Sequence, residues 1–464
     1  MVNYEELEQI AKNIWDHPEL KFQETYSANI LIEYLNDQGF EVKDNLADIP
    51  TAFSATFGSE GPHIGFLGEF DALSDLSQVP DKTCKEALEE GGSGHGCGHH
   101  LLGVGSMEAA IRLKNYIEEN NIKARVSFFG CPGEEGGSGK AFMVKAGVFD
   151  DVDIALTWHP FNHNHVMTGS LLANIQTYVS FKGVSSHAAG SPQLGRSALD
   201  ALELTNVGIQ FLREHMDDTD RIHYSIIDGG SKSPNVVQAY AQGLYLVRSK
   251  DNESVIKLNK RLEDIVKGAA LMSGVDYEIN FDKACSNIIP NGVLEDVLYN
   301  NFFKAGPCEY TEEEIAYAES FKKNFPEENF KGQFILSATD DPQKEIDYMK
   351  TRPLDEKILE HKHKDMVSMG SSDVGDVSNV VPTAQISVAC YAMGTNGHSW
   401  EQVAQGKSSV AMKGMHKAGE VLYLSAVDLL ENPELIEKAK EEFLSRTKGK
   451  FVSPIPDGKK PNIV

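Results

Sequence analysis

One glycine-rich segment, residues 94–100, concentrates a cysteine and three histidines in the sequence Gly-His-Gly-Cys-Gly-His-His. Cys97 and His99 stand two residues apart, and the glycines around Cys97 let the backbone approach closely. A thiolate and an imidazole at this spacing can bind one soft-to-borderline metal ion. A glycine-rich phosphate loop is the alternative, but no Lys or Ser/Thr follows where such a loop requires it. The segment therefore predicts a metal site.

Two adjacent glutamates, Glu134 and Glu135, lie in a second glycine-rich segment, residues 130–140. Glutamates in such a place usually mark a solvated helix start, where negative charge is favoured. Here they follow a short apolar run directly, so one can bind a metal ion while its neighbour holds a water molecule. A general base beside a metal-bound water is the recurring arrangement of metal-dependent hydrolases.

Three further motifs place acidic or imidazole side chains after apolar runs. Glu69 and Asp71 follow the run at 63–68, although they could equally be solvated acids of a turn. His159 lies in Trp-His-Pro and His398 in Gly-His-Ser-Trp, each after a predicted strand. Seven other histidines are predicted to be surface or capping residues: His17, His63, His215, His223, His361, His363 and His416.

The elements that would position these motifs alternate between strands and helices. Apolar runs at 63–68, 125–130, 153–157 and 384–392 predict strands, and amphipathic helical patterns lie between them. This alternation predicts an α/β catalytic domain with a mixed, mainly parallel sheet and helices on both faces. Ligands of open α/β sheets bind outside the carboxyl ends of the strands, which is where the motifs fall.

Residues 173–289 follow a different pattern. Their predicted order of strand, helix, strand, strand, helix and strand is typical of a small α+β domain of the ferredoxin-like kind. We therefore predict an inserted lid or dimerisation domain at 173–289 and a catalytic metal-binding domain formed by 1–172 and 290–464. Three polar residues of the insert are ordinary loop or strand residues on pattern alone: His187, Asn235 and Arg248.

The composition limits the classes of protein to which the chain can belong. Its 464 residues include 43 Lys+Arg and 69 Asp+Glu, and the formal net charge of −26 would repel the phosphates of nucleic acids and anionic membranes. The six cysteines are scattered, unlike a secreted disulfide framework, and neither a signal peptide nor a membrane span is predicted. We expect a cytoplasmic protein with no nucleic-acid or membrane partner, and a thiolate ligand also favours a reducing compartment.

Taken in order, the motifs resemble those of the zinc- or manganese-dependent amidohydrolases and exopeptidases that include aminoacylases, hippurate hydrolase and auxin-conjugate hydrolases. The resemblance covers nearly the whole chain and rests on Gly-Glu-Phe-Asp-Ala-Leu at 68–73, Gly-His-Gly-Cys-Gly-His at 94–99, Pro-Gly-Glu-Glu-Gly-Gly at 132–137, Trp-His-Pro at 158–160, Gly-Ser-Ser-Asp-Val-Gly-Asp-Val-Ser at 370–378 and Gly-His-Ser-Trp at 397–400. It implies a catalytic α/β domain interrupted by a lid domain that often dimerises. Many members of the wider family carry His where Glu69 stands and Asp where His99 stands. This departure favours the amidohydrolase branch and leaves the role of Glu69 open.

The resemblance also implies a role for each candidate residue. The ligands of two divalent ions, Zn²⁺ or Mn²⁺, would be Cys97, His99, Glu135, His159 and His398. Glu134 would be the general acid/base, and Asp71 would orient one of the ligands. His187 would reach over the site, from its own chain or from a partner subunit's lid, to stabilise the oxyanion. Asn235 and Arg248 would bind the substrate's carboxylate.

The implied activity is hydrolysis of the amide bond of an N-acyl or N-aroyl amino acid, such as p-aminobenzoyl-glutamate. Metal-bound water would attack with the help of Glu134, and the products would be a carboxylic acid and an amine such as an amino acid. Two alternatives stay open, a dipeptidase of the same family and a non-catalytic subunit, although the presence of both glutamates and all ligands argues against the second. The expected assembly is a homodimer through the lid domain, or a hetero-oligomer with a second, homologous subunit, called the A subunit.

Overall fold

Strands from both parts of the predicted catalytic domain form one mixed sheet. The computed structural model describes residues 2–333 and 335–463, so Met1, Phe334 and Val464 of that predicted domain lie outside the described residues. The strands of this sheet are β1 (Glu41–Lys43), β2 (Phe53–Phe57), β3 (His63–Gly68), β4 (Arg125–Gly130), β5 (Ile154–Phe161), β6 (His165–Val166) and β13 (Thr383–Ala389). Their order is β1-β2-β4-β3-β5-β13-β6. The central strands β4, β3, β5 and β13 run parallel, and the outer pairings are antiparallel. The predicted mixed, mainly parallel sheet is confirmed.

Helices cover both faces of this sheet. The helices of the two parts of this domain are α1 (Tyr4–Asp16), α2 (Thr25–Asp37), α3 (His99–Asn120), α4 (Gly139–Lys145), α7 (Gly292–Ala305), α8 (Glu312–Lys322), α9 (Glu327–Lys331), α10 (Ile335–Ala338), α11 (Pro342–Thr351), α12 (Val374–Ser378), α13 (Trp400–Gln405), α14 (Ser409–Glu431) and α15 (Pro433–Thr447). Of these, α9 and α10 pack on α11. Phe66 and Phe128 pack in the same core as α3 and α14, whereas their neighbours Leu67 and Phe129 pack with α4. Successive residues of a strand point to opposite faces, so the continuous apolar runs supply both cores.

A second sheet is built from the middle of the chain. Its strands are β8 (Ala173–Lys182), β9 (Arg221–Asp228), β10 (Tyr240–Ser249) and β11 (Asp276–Cys285), in the antiparallel order β11-β8-β10-β9. Helices α5 (Ala198–Leu212) and α6 (Asn252–Ser273) pack on it and on each other. The chain order and strand order are those of a ferredoxin-like domain, and the predicted α+β insertion is confirmed.

A short parallel pair, β7 (Ser170–Leu171) and β12 (Val367–Ser368), lies where the chain enters the second sheet. Here the connector at 352–373 runs beside the junction of the two sheets. Within the described ranges, no helix is long and apolar enough to cross a membrane.

Candidate metal centre

The five predicted ligands gather at the carboxyl ends of the parallel strands. Cys97, His99 and His159 form one group, in which one ligand atom of each residue lies within 4.8 Å of the others. Cys97, Glu135 and His398 form a second group by the same measure. Since Cys97 belongs to both, its sulfur lies between two neighbouring positions that could each hold a cation.

The loop before α3 sets the position of Cys97. Gly98 has a φ of +80°, and a Cβ there would collide with the hydroxyl of Tyr391, so glycine is required for both its backbone and its size. The Cys97 Sγ lies 3.3 Å from the His159 Nε2. On the other side of the ring, Nδ1 lies 3.2 Å from the Pro160 carbonyl oxygen, a hydrogen bond that places the proton on Nδ1. The lone pair of Nε2 therefore faces the sulfur.

The ionisation of His159 suits a metal ligand. Burial, assisted by the positive charge of His99, lowers the pKa of His159 to about 3. The imidazole is therefore neutral at physiological pH, the form in which histidine binds metals.

Asp71 holds one histidine and one glutamate of the cluster at the same time. Its Oδ1 accepts a hydrogen bond of 2.8 Å from His99 Nδ1, and its Oδ2 accepts one of 2.9 Å from the backbone N–H of Glu135. Burial alone would raise the pKa of Asp71, but the charge and hydrogen bond of His99 keep it below its usual range. A carboxylate that fixes the ring of a ligating histidine is the usual outer support of a metal site.

His398 and Glu135 form the outer side of the cluster. The His398 Nε2 lies 3.1 Å from the Glu135 Oε1, and the His398 side chain is 55% exposed. The thiol of Cys97 and the carboxylate of Glu135, both beside the ring, raise the pKa of His398 to about 11. This side of the cluster is open to solvent and offers a path of entry.

Two buried ligand atoms of the cluster lack hydrogen bonds, and a bound cation would satisfy them. Neither the His99 Nε2 nor the Glu135 Oε1 has a hydrogen-bond partner, although a charged group lies near each of them. Buried polar atoms are rarely left in this state in folded proteins. The sulfur, nitrogen and carboxylate oxygen donors of the cluster suit a borderline divalent ion such as Zn²⁺.

Glu134 lies beside the cluster and belongs to neither ligand group. It forms a third group with Glu69 and His99, again with ligand atoms within 4.8 Å of one another. Burial, reinforced by the charges of Glu69 and Glu135, raises the pKa of Glu134 well above that of an exposed glutamate. A carboxyl group with a raised pKa can both take and return a proton near neutral pH.

The sequence patterns assigned Lys140 and Asp373 no role and left that of Glu69 open, and the structure brings the three together. Lys140 is fully buried, and its Nζ forms ion pairs of 2.6 Å with Glu69 Oε1 and with Asp373 Oδ1. The other oxygen of Glu69 lies 3.2 Å from His99 Nε2. The only sequence signals were a lysine soon after the paired glutamates and an aspartate in the segment 370–378.

We expect Lys140→Met to destabilise the protein by about 3–5 kcal/mol, because two buried carboxylates lose their cation. Urea unfolding followed by circular dichroism measures this change. Lys123→Met is the control, since Lys123 pairs with Glu60 on the exposed surface and should matter by less than about 1 kcal/mol. A loss for Lys140→Met as small as that of the control would contradict the interpretation of this triad.

The three predicted residues of the inserted domain do not join the cluster. His187 and Asn235 are exposed neighbours, since the N–H of Ala188 donates to the Asn235 carbonyl oxygen at 2.9 Å. Arg248 lies elsewhere, and its Nη1 donates to the Ser371 Oγ at 3.0 Å. In the described part of the chain, these residues make no hydrogen bond to a member of the cluster.

The prediction of surface or capping positions for the remaining histidines is wrong for two of them. His63 is buried, with its Nε2 2.7 Å from the Ser127 Oγ. The His361 side chain is only 4% exposed and lies against Glu295. An isolated histidine shows no periodic pattern, so only its tertiary contacts reveal its burial.

An α/β domain with a cluster of metal-ligating side chains at its strand ends, interrupted by a four-stranded domain, defines a class of two-domain metallohydrolases. The chain belongs to the M20 family of peptidases. A family model described as a peptidase dimerisation domain matches residues 169–271. The B subunit of p-aminobenzoyl-glutamate hydrolase from Escherichia coli (strain K12) is 42% identical over 457 residues, which cover 98% of this chain and 95% of that protein. The family resemblance drawn from the motifs is thereby confirmed.

More distant relatives also match over most of the chain. The Xaa-Arg dipeptidase of Homo sapiens is 27% identical, covering 97% of this chain and 92% of that protein. The crystal structure of a dinuclear metal-binding peptidase of the M20 family from Bacillus subtilis superposes with a TM-score of 0.56 at 16% identity, covering 92% of this chain and 98% of that one. This structural likeness supports the two-domain fold.

Proposed function

We propose that the chain is a metal-dependent amidohydrolase that cleaves an N-acyl or N-aroyl amino acid, with p-aminobenzoyl-glutamate as the first substrate to test. The observation that carries the proposal is the position of Cys97 in two ligand groups, with Glu134 beside them. The name and 42% identity of the Escherichia coli relative support the choice of substrate.

The site would hold two divalent ions, Zn²⁺ or Mn²⁺, one on each side of Cys97. Bound there, such ions would polarise the amide carbonyl and lower the pKa of water. Glu134 would take the proton of the attacking water and return it to the departing amine nitrogen. Asp71 would keep His99 and Glu135 in their ligating orientations, since it bonds both.

His187 would donate a hydrogen bond to the developing oxyanion. Its Nδ1 accepts from the backbone N–H groups of Ala189 and Gly190, at 3.2 and 3.0 Å, which leaves the proton of the neutral ring on Nε2. The exposed position of His187 supports the version of the proposal in which it serves the site of a partner chain. A donor aimed at the oxyanion is among the largest single contributions to catalysis of acyl transfer.

The second sheet offers a surface for such a partner. β9 is an edge strand, and Ile226 and Ile227 on it are 54% and 50% exposed. Phe211 at the end of α5 is 72% exposed. Unpaired edge strands and exposed apolar side chains mark association surfaces. A homodimer through this domain, or a hetero-oligomer with a homologous A subunit, would cover them.

We expect two inactive variants, His187→Ala and Glu134→Gln, to restore activity when they are mixed and re-dimerised. In a mixed dimer, one site combines the intact Glu134 of one chain with the intact His187 of the other. Random exchange in a two-fold dimer should give about one quarter of the wild-type activity. Activity that stays at the level of the separate variants would mean that His187 serves its own chain or that the partner is a different protein.

Asn235 and Arg248 would bind the carboxylate of the amino-acid part of the substrate. Arg248 is suited to this because its buried Nε has no hydrogen-bond partner while its Nη1 is held by Ser371. The two residues lie apart in this chain, so they would act together only if a partner chain or a lid movement brings them to one site. The proposed lid is residues 173–289, and the proposed catalytic domain is residues 1–172 and 290–464.

A dipeptidase is the second candidate, because the human relative is an Xaa-Arg dipeptidase. A substrate panel separates the two: p-aminobenzoyl-glutamate, hippurate and indole-acetyl conjugates against dipeptides with a free amino terminus. The proposal predicts a kcat/KM at least about tenfold higher on the N-acylated compounds, equivalent to about 1.4 kcal/mol in the transition state. A preference for dipeptides would overturn it.

A cytoplasmic location remains part of the proposal, supported by a thiolate ligand that needs reducing conditions.

A further inference from the structure

We propose that Glu295, His361 and His363 form a second metal site that binds one borderline divalent cation of the zinc class. One ligand atom of each residue lies within 4.8 Å of the others. This group shares no residue with the Cys97 cluster, so it stands apart from the proposed hydrolase activity. We infer a structural role, in which the cation fastens the connector at 352–373 to the first turn of α7.

A single carboxylate oxygen is the centre of this group. The Oε2 of Glu295 lies 3.3 Å from His361 Nε2 and 3.1 Å from His363 Nδ1. Glu295 is 2% exposed, and its Oε2 also accepts a hydrogen bond of 2.9 Å from the Thr168 hydroxyl. Hydrogen bonds from outer residues commonly fix the orientation of a ligating carboxylate.

His361 gives an independent indication that a cation binds here. Its side chain is 4% exposed, and its Nε2 makes no hydrogen bond although Glu295 is close. A buried ring nitrogen aimed at a carboxylate without bonding it is rare unless a third group lies between them. A cation in that position would satisfy both atoms.

His363 completes the group and faces solvent. Its Nδ1 points to Glu295 while its Nε2 lies 3.1 Å from the Asp296 Oδ1. A histidine that binds a metal through one nitrogen commonly gives its other N–H to a carboxylate. The side chain is 51% exposed, which leaves an entry path and room for a water as fourth ligand. Two imidazoles and a carboxylate favour zinc over the oxygen-preferring Mg²⁺ and Ca²⁺.

The position of the group suggests what the cation would stabilise. The connector that carries His361 and His363 continues to Ser371 and Asp373, which bind Arg248 and Lys140. The ordinary alternative is an ion pair in which a protonated His363 lies between two carboxylates and no metal binds.

Equilibrium dialysis of the purified full chain against Zn²⁺, followed by elemental analysis, tests the proposal. We expect His361→Gln/His363→Gln to bind about one zinc ion fewer per chain than the wild type, because a three-residue site without its two imidazoles is lost. His215→Gln, which changes an exposed histidine outside both groups, should bind as much as the wild type. Equal zinc content in the paired variant and the wild type would overturn the second site and leave the ion pair.

A second measurement keeps the test decisive if the paired variant folds poorly. In a Cys97→Ser chain, which weakens the other cluster, we expect Zn²⁺ to raise the melting temperature through the Glu295 group. The single change His363→Gln, at a half-exposed position, should weaken that zinc response by about 10- to 100-fold in concentration. The same zinc response with and without His363→Gln would count against the proposal.

Discussion

Glu134→Gln is expected to lower kcat for p-aminobenzoyl-glutamate by about 10³-fold or more while the metal content stays at the wild-type level. General acid–base help is worth about 10²–10⁴-fold, and here one group would serve both the attacking water and the departing amine. Glutamine keeps the size of the side chain but can neither accept nor return the proton. Steady-state kinetics and elemental analysis on the same preparation measure both quantities.

Glu119→Gln is the matched control, because Glu119 is an exposed glutamate at the far end of α3. It should leave kcat and metal content unchanged. Wild-type turnover by Glu134→Gln would remove the general acid/base assignment. A loss of metal together with activity would instead make Glu134 a ligand.

Cys97→Ser is expected to have the largest effect on metal binding, because the thiol belongs to both ligand groups. The Cys97 cluster is expected to hold about two divalent ions and should hold fewer than about one after the change, since a serine hydroxyl is a poor substitute for a thiolate. Any zinc ion on the Glu295 group should be the same in both chains. Hydrolysis should fall with the metal content. Equilibrium dialysis against Mn²⁺ and against Zn²⁺ checks the stoichiometry.

Cys84→Ser serves as the control, since Cys84 is exposed and far along the loop from the cluster. It should bind as much metal as the wild type. An unchanged metal-to-protein ratio in Cys97→Ser would remove Cys97 from the ligand set and with it the shared position between the two cations.

Much of the fold could be predicted, because local sequence patterns determine the strands and helices. The strands at His63–Gly68 and Arg125–Gly130 have the predicted bounds. Both are long or strongly apolar segments, for which the periodicity of side chains is informative. The pattern of strands and helices predicts that the motifs lie at one edge of the sheet, and the family resemblance implies the set Cys97, His99, Glu135, His159 and His398 as ligands.

The buried ion pairs around the cluster could not be predicted from local patterns. Lys140 and Asp373 are 233 residues apart, and only the packing of α4 against α12 brings them together. The same holds for Glu295 of α7 and for the two histidines of the connector, because the connector lacks a periodic pattern that would place it. A buried charge pair needs a specific partner, and the partner's identity is a tertiary property that no local spacing contains.

Chelation and reconstitution of the purified chain test the central claim most directly. The chain is stripped of metal, titrated with Mn²⁺ or Zn²⁺, and assayed for hydrolysis of p-aminobenzoyl-glutamate, alone and with a homologous A subunit. We expect no activity in the stripped chain and a return of activity that saturates when about two ions are bound at the Cys97 cluster. Hydrolysis that survives complete stripping, or no hydrolysis of any N-acylated amino acid at any metal content with or without the A subunit, would contradict the claim.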